Sequence, residues 1–198
     1  MSKLNANRKG NRLLRLMIFA SFFAALIFIA TAFLPRIPTA LGYVHLGDAF
    51  VLIAAALLPA PYAIASAAIG GALADLLTGY VVWLPATFII KALMALCISS
   101  RTKKIVAPRN LCGAAIAILI NAGGYYLFQA IFISQSLIAP LPEIPFNIIQ
   151  TAVGGVIFVI IGLLLDRSPA IKNMVPKVSR NENDHPIHQN EQSENRDN

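Results

Sequence analysis

The chain has 198 residues, 57% of them hydrophobic and only 13% charged, with a mean hydropathy of +0.68. Such values exclude an ordinary soluble domain, and the long apolar stretches indicate a polytopic membrane protein. The net charge of +7 does not mark nucleic-acid binding, because only Arg36, Asp48, Asp75 and Lys91 are charged between residues 17 and 100, and only Glu143 between 110 and 165. The remaining charges sit at the two ends and in one loop, which makes them a topology signal.

The first residues, "MSKLNANRKGNRLLR", are basic and lead into an apolar run from Leu13 to Leu34. That run is too long for the core of a signal peptide and lacks a convincing small-residue cleavage site at its end, so it is read as a retained helix. It stops at "PRIP". A second, short helix is expected from Leu46 to Leu58, a third from Tyr62 to Thr78, and a fourth from Val82 to Ser99. The punctuation between them is "LPAP" and then Gly79–Tyr80. After the basic loop "RTKKIVAPRN" comes a fifth helix, Leu111 to Ser134. The proline-rich turn "APLPEIP" then leads to a sixth, Phe146 to Leu165.

The expected fold class is therefore all-α, with six transmembrane helices and both termini cytoplasmic. Lys3, Arg8, Lys9, Arg12 and Arg15 precede the first helix, Arg101, Lys103, Lys104 and Arg109 separate the fourth from the fifth, and Arg167, Lys172, Lys177 and Arg180 follow the sixth. Six spans put all three clusters on the cytoplasmic face, and five or seven would split them. The division is a basic cytoplasmic N-terminus over 1–12, a six-helix membrane domain over 13–166, and a polar tail over 167–198 read as disordered and cytoplasmic. His185 and His188 of "HPIH" are read as solvated tail residues rather than a metal site, and Cys97 and Cys112 as free thiols near the cytoplasmic face.

Polar residues recur at one depth. Asp48 falls in the outer turn of helix two, after Tyr43 and His45. Asp75 lies about 6 Å below the outer end of helix three, and Lys91 about 12 Å below the start of helix four. Trp83, Thr87 and Lys91 share a face at i, i+4, i+8, as do Asn121, Tyr125 and Gln129, while Asn147, Gln150 and Gly154 follow i, i+3, i+7. Polar stripes confined to the outer half suggest a pocket open to the outside. Each group also has a plainer role. Asp48 suits a helix N-terminus, Tyr80 and Trp83 suit an interfacial anchor, and Asn121 and Gln129 suit interhelical bonding. Lys91 pairs structurally with Asp75 or Asp48, or it meets ligand. No residue set assembles an enzyme, a metal site or a cofactor site, and no phosphate-binding loop is present. In helix one, Ala20 and Ala24 of "ASFFA" are spaced for close helix approach.

Residues 13–166 resemble a substrate-binding S component of an energy-coupling factor (ECF) vitamin transporter. The resemblance rests on "GYVHLGDAFVLIAAALL", on the passage from "GGALADLLTGY" to "LPATFIIKAL", and on "ASFFA". It implies a prokaryotic plasma-membrane protein that binds a vitamin outside and docks on a transmembrane T subunit joined to two cytoplasmic ATPases. Ala20 and Ala24 would meet that T subunit. Tyr43, His45, Asp48, Tyr80, Trp83, Lys91, Tyr125, Gln129, Asn147 and Gln150 would line the outer pocket, together with Asp75 and Asn121 from the depth argument. "GYVHLGDA" resembles the subgroup that takes hydroxymethylpyrimidine or pyridoxine, with riboflavin next, and an anion such as pantothenate would use Lys91 directly. The rival function is a stand-alone transporter coupled to protons through Asp75 and Lys91.

Overall fold

The computed structural model describes residues 2–34, 37–39 and 43–168, with side chains from residue 10 onward. Arg36, the side chains of Lys3, Arg8 and Lys9, and the tail residues Lys172, Lys177, Arg180, His185 and His188 lie outside the described residues. Six α-helices account for most of the rest: α1 Ser2–Ala32, α2 Gly47–Leu57, α3 Ala60–Leu77, α4 Leu84–Leu96, α5 Pro108–Phe128 and α6 Glu143–Arg167. Proline starts three of them. It stands in the first turn of α3, α4 and α5, where its missing N–H is not needed.

The boundaries differ from expectation in instructive ways. The first helix begins at Ser2, not Leu13, because no proline interrupts the basic segment. The fourth is preceded by a tight 3₁₀ turn, Val81–Trp83, and ends at Leu96 instead of Ser99. The fifth passes into a single π-helical turn, Gln129–Ile133. The sixth starts at Glu143, inside the segment expected to be turn. Between α1 and α2 lies an antiparallel pair absent from the sequence expectation, β1 Ile37–Pro38 against β2 Tyr43–Val44, with Ile37 opposite Val44 and Pro38 opposite Tyr43.

Among the described residues, four stretches are long and apolar enough to cross a membrane: Gly10–Ala32, Ala60–Leu77, Pro108–Ile133 and Glu143–Arg167. The two remaining helical stretches, Gly47–Leu57 and Val81–Leu96, are shorter. At about 1.5 Å per residue, α2 reaches only about 16 Å, half of a hydrocarbon core. The shortest of them, α2, is also the most interior. Ala49, Val51, Leu52 and Ala54 of α2 have no exposed surface, whereas Leu14, Ile18, Phe22 and Ile29 of α1 and Val156, Ile160 and Leu164 of α6 point outward. Such apolar exposure is what a lipid-facing surface needs.

Packing is close where small residues allow it. α3 lies against both α1 and α4, and α6 against α2 and α5. A Cβ placed on Gly154 of α6 would stand 2.9 Å from the Ala49 backbone nitrogen and 3.1 Å from Asp48 Cβ in α2. Gly154→Val is therefore expected to push α2 from α6 and cost about 1–3 kcal/mol, seen as a lower unfolding temperature in detergent. An unchanged melt would mean the two helices separate freely.

The start of α1, the end of α6 and the connection between α4 and α5 gather at one end of the bundle. The β1–β2 pair, the α3–α4 turn and the α5–α6 connection gather at the other. The first end carries Arg12, Arg15, Arg101, Lys103, Lys104, Arg109 and Arg167. Its loop is pinned rather than loose. The Asp166 carboxylate accepts the N–H groups of Ile105 and Val106 at 2.8 and 3.0 Å, and buried Asn110 bonds Ser99, Thr102 and Ile105. Cys97 and Cys112 are both free.

Candidate functional site

At the opposite end a cavity opens under the β1–β2 pair. Its wall is made by Thr39, Tyr43, Val44 and His45 from the strand region, Asp75 of α3, and Tyr80, Trp83 and Thr87 from the entry to α4. Tyr125 and Gln129 at the end of α5 and Glu143, Phe146, Asn147 and Gln150 of α6 complete it.

Local backbone chemistry places these groups. α3 ends in a Schellman-type cap, in which Gly79 takes φ +86° and the Tyr80 N–H bonds the Asp75 carbonyl at 2.9 Å. That turn brings Tyr80 back beside Asp75 and leads directly into the 3₁₀ turn carrying Trp83. The Tyr43 ring packs at a tilt against Tyr80 and His45, with centroids 4.7 and 5.6 Å away, and its hydroxyl donates to Asp75 Oδ1 at 3.2 Å. Trp83 packs against Tyr125 and Phe128 at 5.9 and 5.6 Å. The Tyr125 hydroxyl is 2.9 Å from Thr87 Oγ1. An aromatic wall thus surrounds a few fixed polar atoms, as heteroaromatic recognition requires.

Beneath this floor lies a buried polar hub. Lys91 Nζ donates to Asp48 Oδ1 at 2.6 Å and to Asn121 Oδ1 at 2.9 Å, and lies 3.8 Å from Met94 Sδ, so its three protons are all directed. It also sits 5.3 Å from the centre of the Tyr125 ring. Asp48 Oδ2 accepts from Gln150 Nε2 at 3.0 Å and Thr151 Oγ1 at 2.7 Å. Both charged side chains are almost wholly buried, Lys91 at 1% and Asp48 at 0% exposure. One ion pair therefore joins α2, α4, α5 and α6. It also holds the cavity wall, because Gln150 Oε1 accepts the His45 backbone N–H at 3.2 Å.

Of the twelve residues expected to bind ligand, the fold brings nine to the cavity wall: Tyr43, His45, Asp75, Tyr80, Trp83, Tyr125, Gln129, Asn147 and Gln150. Asp48, Lys91 and Asn121 do not line it. They form the hub below, and the partner of Lys91 is Asp48, not Asp75. Thr39, Val44, Thr87, Glu143 and Phe146 line the cavity without having been singled out as ligand residues. Thr87 was readable from its place between Trp83 and Lys91. Glu143 was hidden by a proline-rich context that reads as turn, and Phe146, at the expected start of helix six, carried no polar signal.

A separate apolar groove runs along α1 and α3, lined by Ala20, Ser21, Ala24, Ala25, Phe28, Ala65, Ser66, Ile69 and Leu73. Ser66 Oγ bonds the Ala20 carbonyl at 2.8 Å and fixes the two helices together at its edge.

The sequence model of the family described as "ECF-type riboflavin transporter, S component" matches residues 13–167. Comparison with curated proteins gives no match. The matched segment covers α1 from Leu13 onward, the other five helices whole and every described residue of the cavity wall.

Proposed function

Because the chain belongs to the ECF-type riboflavin transporter S-component family, we propose that it captures a small heteroaromatic vitamin from outside the cell for ATP-driven uptake by partner subunits. The family is one of transporter binding components, not of enzymes. The observation that carries the proposal is the aromatic-walled cavity at the end of the bundle remote from the basic residues. With the basic end cytoplasmic by the positive-inside rule, all six helices crossing and both termini inside, the cavity faces outward. The short α2 and α4 complete their crossings through the flanking strand pair and 3₁₀ turn. The ligand is riboflavin, as the family description suggests, or a smaller pyrimidine or pyridine vitamin such as hydroxymethylpyrimidine or pyridoxine. The partners are a transmembrane T subunit, seated on the α1–α3 groove at Ala20 and Ala24, and two cytoplasmic ATPases. The setting is a prokaryotic plasma membrane.

Trp83 is the only tryptophan of the chain and lines the cavity at 8% exposure. Its fluorescence should therefore report occupancy directly. Purified protein without partners is expected to carry a vitamin identifiable by mass spectrometry. After its removal, one of riboflavin, hydroxymethylpyrimidine and pyridoxine is expected to shift Trp83 emission saturably at submicromolar concentration. Absence of both signals would sink the proposal. Uptake that survived loss of the ATPases but collapsed with the proton gradient would favour a proton-coupled transporter instead.

A further inference from the structure

The chemistry of the cavity wall narrows the ligand further. Two of its side chains are more than nine-tenths buried and each holds an oxygen with no hydrogen-bond partner: Asp75 Oδ2 and Gln129 Oε1. Asp75 Oδ1 is engaged by the Tyr43 hydroxyl, so its second oxygen is the one left over. Buried acceptors without donors are costly, and a ligand that supplies the donors gains what the empty site lacks. The charge of the wall points the same way. Its formally charged members are the carboxylates Asp75 and Glu143, and no lysine or arginine stands among the described lining residues. Lys91, the nearest cation in the sequence pattern, is saturated by Asp48, Asn121 and Met94 and does not line the cavity. An anionic ligand would thus meet like charge in a low-dielectric site with no counter-ion there.

We infer that the site reads hydrogen-bond donors and rejects anions: it takes an uncharged or cationic heteroaromatic ring that sets N–H groups against Asp75 and Gln129, and refuses the phosphorylated or carboxylated form of such a ring. The inference rests on the vitamin-binding assignment above and concerns which chemical forms are admitted.

Matched ligand pairs test it on the wild-type protein. Riboflavin against flavin mononucleotide, and pyridoxine against its 5′-phosphate, differ only by the phosphate. For whichever ring binds, the phosphate ester is expected to bind at least roughly a hundredfold more weakly. If riboflavin is the ligand, methylation at N3, which removes its one ring N–H, is expected to weaken binding roughly tenfold to a hundredfold. Asp75→Asn should weaken the unphosphorylated ring by at least roughly tenfold and narrow the gap to its ester, since it removes the charge at nearly constant size. Equal binding of ring and ester overturns the inference and leaves vitamin binding standing, as does an Asp75→Asn variant that folds and binds like wild type. Failure of all three vitamins to bind would overturn both together. The wild-type pairs decide the matter even where Asp75→Asn does not fold.

Discussion

Replacing Lys91 by methionine is expected to destabilise the protein by about 3–5 kcal/mol, more than any change at the cavity surface. The side chain fits the volume, so the loss comes from electrostatics. Asp48 would remain with 0% exposure, its Oδ1 without the ammonium that lies 2.6 Å away. Removing one partner of a buried pair costs this much because the other charge stays uncompensated. Replacing both is a different experiment. In Asp48→Asn/Lys91→Met no charge is left, and an amide at position 48 still meets Gln150 and Thr151. The double variant should recover at least half of the loss, giving a coupling energy of roughly 1.5–3 kcal/mol in a double-mutant cycle. Additive effects would show that the pair contributes nothing jointly. Ligand affinity of Lys91→Met should fall only as far as Gln150 and His45 lose their footing, because Lys91 itself is away from the wall.

The second large effect concerns the α1–α3 groove. Ala24→Arg is expected to abolish co-purification with the proposed T subunit and leave vitamin binding by the isolated chain intact. Ala20 and Ala24 are half-buried and stand one turn apart on the groove wall, so any larger side chain occupies the space that a partner helix would enter. An arginine adds a charge in an apolar setting, which is itself costly to insert, roughly 2.5–3.5 kcal/mol on insertion scales. Ala24→Leu separates the two causes. It fills the groove without charge and should weaken assembly while inserting normally. Assembly unaffected by both would remove α1 from the interface. Normal assembly of Ala24→Leu alone would locate the block in the charge.

Much of this fold is legible in the residues, for physical reasons. Apolar runs bounded by proline and glycine announce six helices, because a backbone in hydrocarbon must satisfy itself. The strand pair was invisible, since Ile37–Pro38 and Tyr43–Val44 are too short to show an alternating pattern. Within the candidate site, helical spacing says which residues share a face but not where along that face a cavity ends. Trp83, Thr87 and Lys91 lie on one stripe, yet the first two line the wall and the third lies under the floor. Likewise Asn121 and Tyr125 are one turn apart and serve the hub and the wall respectively. Glu143 was lost because the one proline of α6, Pro145, sits in its first turn, where a helix tolerates it.

The hub has a consequence for how the protein is made. Its two charges are carried by α2 and α4, the two helices too short to cross a bilayer by themselves. Each would enter the membrane poorly alone, short and burdened with an ion. Synthesis proceeds from the N-terminus, so Asp48 waits for Lys91, 43 residues later, and the pair is complete once α4 has emerged. The first four helices can then be held in the bilayer with the hub's two charges paired. Asp48 Oδ2 has a longer wait, because Gln150 and Thr151 arrive 102 and 103 residues after it. The last helix to be synthesised is thus the one that closes the hub and, through Gln150, sets the wall of the cavity. A ribosome-stalled chain ending before α6 should insert but hold no ligand.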